Sequence, residues 1–479
     1  MNNKTVFYTL GRVLILEAIL LLLPLAVSLI YSDGCWLAFT IAILTALAVG
    51  GALSLICRNR KRGLSIRDGF SVVALSWICL SLVGCMPFVI SGQIPSFVDA
   101  FFETVSGLTT TGASIVDDVE AMSEGILFWR SFTHWLGGMG ILVFVMAIMD
   151  KAPDRSINIL RAEMPGHSVD KLLPKAKSTA KVLYYIYIAL TAAETIFLLC
   201  GGMSLFESLV HALGTAGTGG FGIKADSIGS YSPYIQWVIT VFMLLFGVSF
   251  NLYYLLLLGR WKSAKNSNEL WTYLGIFVAA SAVIALNIYP LYNSISEVIR
   301  LSAFQVASLV TTTGYATADF NLWPQLSKGI LFLLMFMGGC MGSTSGGLKV
   351  SRLVILFQSA RNEIRRNFTP RTVSPVKLNG NPVDARAEKS VLSYLALYLT
   401  VIIAVFLLIS FEPLGFETNF TAAVSCVNNI GPGFDLIGPA SSYSVYSPFS
   451  KIVLSIAMLM GRLEIYPIIS LFYMHKWAK

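Results

Sequence analysis

The sequence predicts an all-α membrane protein in which two N-terminal spans precede four repeats of span, short helix, glycine tract and span, with fourfold pseudo-symmetry about one axis. Three observations carry that reading. Apolar residues make up 55% of the 479-residue chain and charged residues only 13%, whereas a soluble chain is about a quarter charged. Ten apolar runs are long enough to cross a bilayer. Four glycine-rich tracts recur roughly every hundred residues, each behind an apolar segment too short to span.

The composition also excludes several classes. Despite a net charge of +8, so little charge rules out a cytosolic enzyme or a nucleic-acid-binding domain. The seven cysteines are odd in number, scattered and mostly inside apolar runs, so there is no disulfide framework. The four histidines are too far apart for a metal cluster. The patterns H-E-x-x-H and G-x-S-x-G are absent, as are acids paired at useful spacing, and no enzyme is expected.

The long runs lie near 10–30, 36–57, 70–91, 126–149, 182–201, 234–259, 270–290, 328–358, 391–411 and 451–473. The first could be a signal peptide, but no A-x-A-like site follows it and a second span arrives at once. With the N-terminus in the cytoplasm, 27 of the 34 Lys and Arg residues fall in inside loops. That bias puts both termini inside and all four glycine tracts on the outer side.

The tracts are Thr109–Ser114, Gly217–Gly222, Thr311–Ala316 and Asn428–Gly433. Aligned on Gly112, Gly220, Gly314 and Gly431, they are 108, 94 and 117 residues apart, and a small residue (Ser106, Gly214, Ser308, Ser425) stands six positions before each glycine. The apolar segments 96–108, 204–216, 296–310 and 416–426 precede them. Irregular backbone cannot face lipid and is tolerated only where it lines a cavity or is buried in protein. Four such tracts on one side can meet around an axis and offer rings of carbonyl oxygens to a bare cation. Glycine permits the unusual dihedrals this needs, and the helices aim the negative ends of their dipoles at the centre. The expected filter is Thr110, Thr111 and Gly112; Thr218, Gly219 and Gly220; Thr312, Thr313 and Gly314; and Asn429, Ile430 and Gly431. The last two residues of each set (Thr111, Gly112, Gly219, Gly220, Thr313, Gly314, Ile430 and Gly431) would ligate the cation. Pro432 lacks a donor, so the fourth tract is expected to differ in geometry.

The segments 101–114, 338–350, 428–433 and Gly461-Arg462-Leu463-Glu464 resemble TrkH-type subunits of the bacterial Trk/Ktr potassium uptake systems, over essentially the whole chain. Two spans before the first repeat favour TrkH over the shorter KtrB branch. The resemblance implies potassium permeation in the bacterial inner membrane through a single-chain pore. It implies a homodimer, and a cytosolic TrkA-like ring that binds nucleotides. In that family a serine at the first filter glycine admits sodium, so four glycines imply potassium selectivity.

Two gate elements are expected below the filter. The run 328–358 exceeds a straight span, and its middle, Gly338–Gly347, holds five glycines. Glycine is a poor helix interior residue, so Gly342, Ser343, Thr344, Ser345, Gly346 and Gly347 are expected in a broken segment lining the pore. In the resembled family this is an intramembrane gating loop. A phosphate-binding loop is excluded because Leu348 separates Gly347 from Lys349. Arg462, inside the last span, is a functional candidate by its charge, with local pairing to Glu464 as the alternative. Lys349 is a gate residue or a cytoplasmic anchor. Asp117, Asp118, Glu120 and Glu124 read as an acidic mouth or a solvated loop, while His134 and Trp135 read as packing. The basic loops 151–181 and 352–389 suit a regulator or anionic lipid.

The chain thus divides into 1–67, 68–180, 181–268, 269–388 and 389–479. The alternative function is a secondary carrier moving an organic solute by alternating access, since broken helices and repeats also occur there.

Overall fold

The structure is a computed structural model and describes residues 3–58, 66–140, 176–369 and 374–473. Arg60, Lys61 and Arg62, most of the basic loop 151–181, Arg371 and the terminal Lys476 and Lys479 lie outside the described residues.

Among the described residues, six helices are long and apolar enough to span: Asn3–Tyr31, Trp36–Ile56, Asp68–Ile90, Ala180–Cys200, Asn268–Leu291 and Ala385–Ile409. A seventh candidate, Pro233–Phe246 with Phe250–Leu257, is bent by 85° at its break. Of the ten expected runs, several are not straight spans, for physical reasons. The run near 328–358 splits into Gln325–Leu334 and Val350–Phe368 around the glycine-rich middle. The run near 451–473 ends at Arg462 and resumes at Tyr466. Between them Glu464 and Ile465 take φ of 54° and 69°, left-handed values that no L-residue helix continues. Of the run near 126–149, Glu124–Gly138 is helical, and 141–149 lies outside the described residues.

A common design emerges in the helices after the glycine tracts. Three of them, Glu124–Gly138, Pro233–Phe246 and Pro448–Arg462, run 15, 14 and 15 residues before stopping. Two of those start with Pro at the first turn behind a serine cap, Ser232 and Ser447, where a missing N–H costs nothing.

The short apolar segments form Phe97–Leu108, Leu205–Gly217, Ile295–Val310 and Phe416–Asn428. Ser96 caps the first, and a reciprocal Ser204–Glu207 box caps the second. Their C-terminal halves are almost wholly buried.

The spans wrap this centre. About 61% of the Asp68–Ile90 window is buried but only 11% of Asn268–Leu291, so the former is internal and the latter lies on the rim. The first two spans cross where Gly11 and Gly50 face each other's carbonyls, the close small-residue contact that drives helix pairing in lipid. Outward leucines and isoleucines such as Ile30, Leu55, Ile56 and Leu286 are exposed, as lipid-facing positions require.

Candidate filter and gate

Each short helix ends in the same way. Thr110, Thr218, Thr312 and Asn429 take φ of 58°, 54°, 56° and 55°, and two residues later Gly112, Gly220, Gly314 and Gly431 take 79°, 82°, 83° and 102°. The N–H groups of Thr111, Gly219, Thr313 and Ile430 donate to the carbonyls of Ser106, Gly214, Ser308 and Ser425 at 2.9, 2.9, 2.8 and 3.1 Å. This is the Schellman closure, a bond five positions back around a left-handed residue. The small residues noticed in the sequence are therefore the acceptors that turn the chain off the helix.

The four tracts form a closed cycle. A Cβ built on Gly112 would stand 2.0 Å from the Gly219 carbonyl oxygen, one on Gly220 2.1 Å from that of Thr313, one on Gly314 2.0 Å from that of Ile430, and one on Gly431 2.7 Å from that of Thr111. Each glycine abuts the residue before the next tract's glycine, and the fourth returns to the first. All four glycines also line one cavity of about 340 Å³, with Asp117, Arg130, Lys224 and Pro432 on its wall.

Side chains stitch the seams. Between the first and second tracts, His134 Nδ1 lies 2.8 Å from the Gly107 carbonyl while Nε2 accepts from Phe221 N–H at 3.3 Å, an assignment that requires the neutral Nδ1–H tautomer. Arg130 pairs with Glu103 at 2.8 Å, donates to the Gly222 carbonyl at 3.3 Å and to Ser114 Oγ at 3.1 Å, and lies 4.1 Å over the Phe221 ring. Tyr315 donates towards the carbonyls of His211 and Phe221 across the second seam, both at 3.3 Å. Asn321 and Asp435 exchange hydrogen bonds across the third. Asn429 Nδ2 donates to Thr111 Oγ1 at 2.9 Å across the fourth.

The first and third tracts share a hydroxyl pair, Thr109–Thr111 and Thr311–Thr313, each at 2.7 Å. The fourth departs most. Its glycine has the widest φ and the loosest contact, and the Gly431 carbonyl accepts from Ser425 Oγ and Tyr443 OH, both at 2.8 Å.

Residues 335–349 form a compact loop against this ring. Gly346 N–H donates to Thr312 Oγ1 at 2.7 Å, Cys340 N–H to the Gly247 carbonyl at 2.8 Å, and Phe250 N–H to the Gly342 carbonyl at 3.0 Å. Ser343 Oγ donates to the Cys340 carbonyl at 2.7 Å, and Thr344 Oγ1 reaches that of Phe246 at 3.4 Å. Gly347 sits at φ 62°. Lys349 is buried with its Nζ on the Ser345 carbonyl.

Arg462 ties three elements together. It donates to the Thr344 carbonyl at 2.7 Å, to Thr110 Oγ1 at 3.2 Å, to the Gly138 carbonyl at 2.6 Å and to that of Gly137. Glu464 pairs with Arg352, whose guanidinium also lies 4.0 Å over Tyr394.

The mouth is less acidic than its sequence suggests, because Arg130 and Lys224 share the cavity wall with Asp117. Asp118 caps its own turn and Glu120 accepts from Ala225 N–H. His134, expected as packing, is a seam residue, and so is Arg130. Their spacing in the chain gave no signal of this, because their partners are 16 to 92 residues away.

A closed ring of backbone in an apolar helical shell defines a membrane transport protein. Residues 37–478 match the TrkH cation transport protein family, and the chain belongs to that family, whose members are transporters and not enzymes. Over the full length of both chains it is 35% identical to the Trk system potassium uptake protein TrkH of Salmonella typhimurium and to that of Escherichia coli K12. The crystal structure of the potassium transporter TrkH from Vibrio parahaemolyticus superposes with a TM-score of 0.90 at 31% identity, covering 100% of both chains.

Proposed function

We propose that the chain carries potassium into a bacterial cell across the inner membrane, through one pore formed by repeats 68–180, 181–268, 269–388 and 389–479 around a shared axis. Residues 1–67 are a peripheral two-span extension, and both termini are cytoplasmic. The observation that supports this best is the closed cycle of Gly112, Gly220, Gly314 and Gly431 around one cavity. A K+ ion loses its water there to carbonyls of Thr111 and Gly112, Gly219 and Gly220, Thr313 and Gly314, and Ile430 and Gly431. With the Gly431 carbonyl oxygen already accepting from the Ser425 and Tyr443 hydroxyls, the fourth wall is the weakest ligand.

Below the filter, the loop holding Gly342–Gly347 and the cation Arg462 close the path. Arg462 repels an entering cation and holds the loop to the first repeat through Thr344, Gly137 and Gly138. A TrkA-like nucleotide-binding ring at the cytosolic face opens it, and two copies of the chain assemble. The relatives named as Trk system potassium uptake proteins support the substrate.

The test is flux into liposomes holding the purified chain. Potassium and rubidium should enter much faster than sodium and lithium. Entry of an organic solute without these ions would replace this reading with a carrier.

A further inference from the structure

Glu269 sits in the first turn of the rim span and is buried beside the loop. Its Oε1 accepts from Met341 N–H at 2.6 Å and from Ser351 N–H at 3.2 Å. One carboxylate therefore clips the loop and also the first turn of the helix leaving it, Val350–Phe368, where a negative charge complements the helix dipole.

On the cytosolic side the same span start is gripped by a hairpin. Asn379 Oδ1 lies 3.2 Å from Ser267 Oγ and 3.4 Å from Glu269 N. Asn379 and Gly380 take φ of 50° and 79°, the Asn-Gly turn that sharply reverses a hairpin. Lys377–Leu378 pairs with Asn381–Pro382 behind it. Lys377 in turn exchanges two hydrogen bonds with Gln358 of the outgoing helix, at 2.8 and 2.9 Å. A cavity of about 350 Å³ opens beside this junction, lined by Ser249, Asn251, Ser267, Glu269, Cys340 and Asn379. The loop has space to move into once it is released.

We propose that Glu269 is the positioning residue that latches the loop shut, and that the exposed hairpin 377–382 is the handle that sets the latch. The proposal rests on the reading of the loop as the gate. A partner that shifts the hairpin withdraws Asn379, lets the start of the span move, and frees Met341.

The experiment uses the full chain in liposomes without any partner. Asn379→Gly keeps the left-handed turn and removes the side-chain acceptor. Glu269→Ala removes the latch, and Glu269→Gln keeps an Oε1 acceptor. The expected result is a severalfold rise in potassium flux for Asn379→Gly and Glu269→Ala, a near wild-type rate for Glu269→Gln, and an unchanged potassium-to-sodium ratio in all three. Amide exchange should rise across 338–349 in the first two and stay constant across 97–108. Unchanged flux, or a changed ion ratio, in a folded Glu269→Ala chain would overturn the latch. Asn379→Gly, at an exposed tip, decides the matter if Glu269→Ala does not fold. A wild-type chain that passes no potassium would sink the permeation reading, and exchange across 338–349 would then still decide whether the hairpin holds the loop.

Discussion

The four ring glycines face two separate demands. Their φ values of 79° to 102° disfavour any Cβ, and the space that Cβ would fill holds a neighbour's carbonyl oxygen. Serine at Gly112, Gly220 or Gly314 must therefore displace an oxygen proposed to ligate potassium. Each substitution should lower potassium-over-sodium discrimination by about tenfold, or about 1.4 kcal/mol, read as a flux ratio. Gly431→Ser, with its looser 2.7 Å approach, should do so less. His134→Ala strips partners from the Gly107 carbonyl and the Phe221 N–H, both buried. It should cost about 1–3 kcal/mol, measured as a fall in Tm, and should also lower the ion ratio. Glu103→Ala leaves Arg130 as an uncompensated buried charge and should destabilise by about 3–5 kcal/mol. The left-handed glycines were legible in the sequence because their conformation is set locally: a glycine at a fixed distance behind a short apolar segment is a pattern on one stretch of chain. His134 and Arg130 were not, because their meaning lies in backbone groups of another repeat.

At the scale of elements, the same contrast separates helix starts from helix breaks. The short helices announce themselves by length and caps, and the structure places them within two residues of the expected bounds. The breaks after Gly138, Phe246, Leu334 and Arg462 were visible only where glycines cluster, as in 338–347. Hydropathy reads straight through Leu463–Ile465, since apolar side chains say nothing about a left-handed backbone. Arg462 sits at such a break, where the helix end turns its guanidinium towards carbonyls at the end of another broken helix. Arg462→Ala should raise potassium flux in liposomes by removing both the fixed charge and the tie to Thr344. An unaltered rate would mean that the side chain only anchors the helix end.

For the molecule as a whole, the proposed orientation rests on charge. With both termini in the cytoplasm, 27 of the 34 Lys and Arg residues are expected in inside loops, while Arg130 and Lys224 offset Asp117 on the cavity wall. Tags fused at either end should be digested by protease in inside-out vesicles and protected in intact spheroplasts. The reverse pattern would invert the proposed orientation. The overall class was legible because composition is a global property of the string. The count of straight spans was not, because a membrane helix may break wherever protein, not lipid, surrounds it.

The cycle of glycine contacts belongs to a single polypeptide, and this has an evolutionary consequence. In a ring of identical subunits, one codon change alters every wall at once. Here each wall is written by its own codon, so a mutation edits one quarter and leaves three intact. On the proposed reading, ion preference can then change in small steps. The fourth wall, where Ser425 and Tyr443 both hold the Gly431 carbonyl, is already unlike the other three.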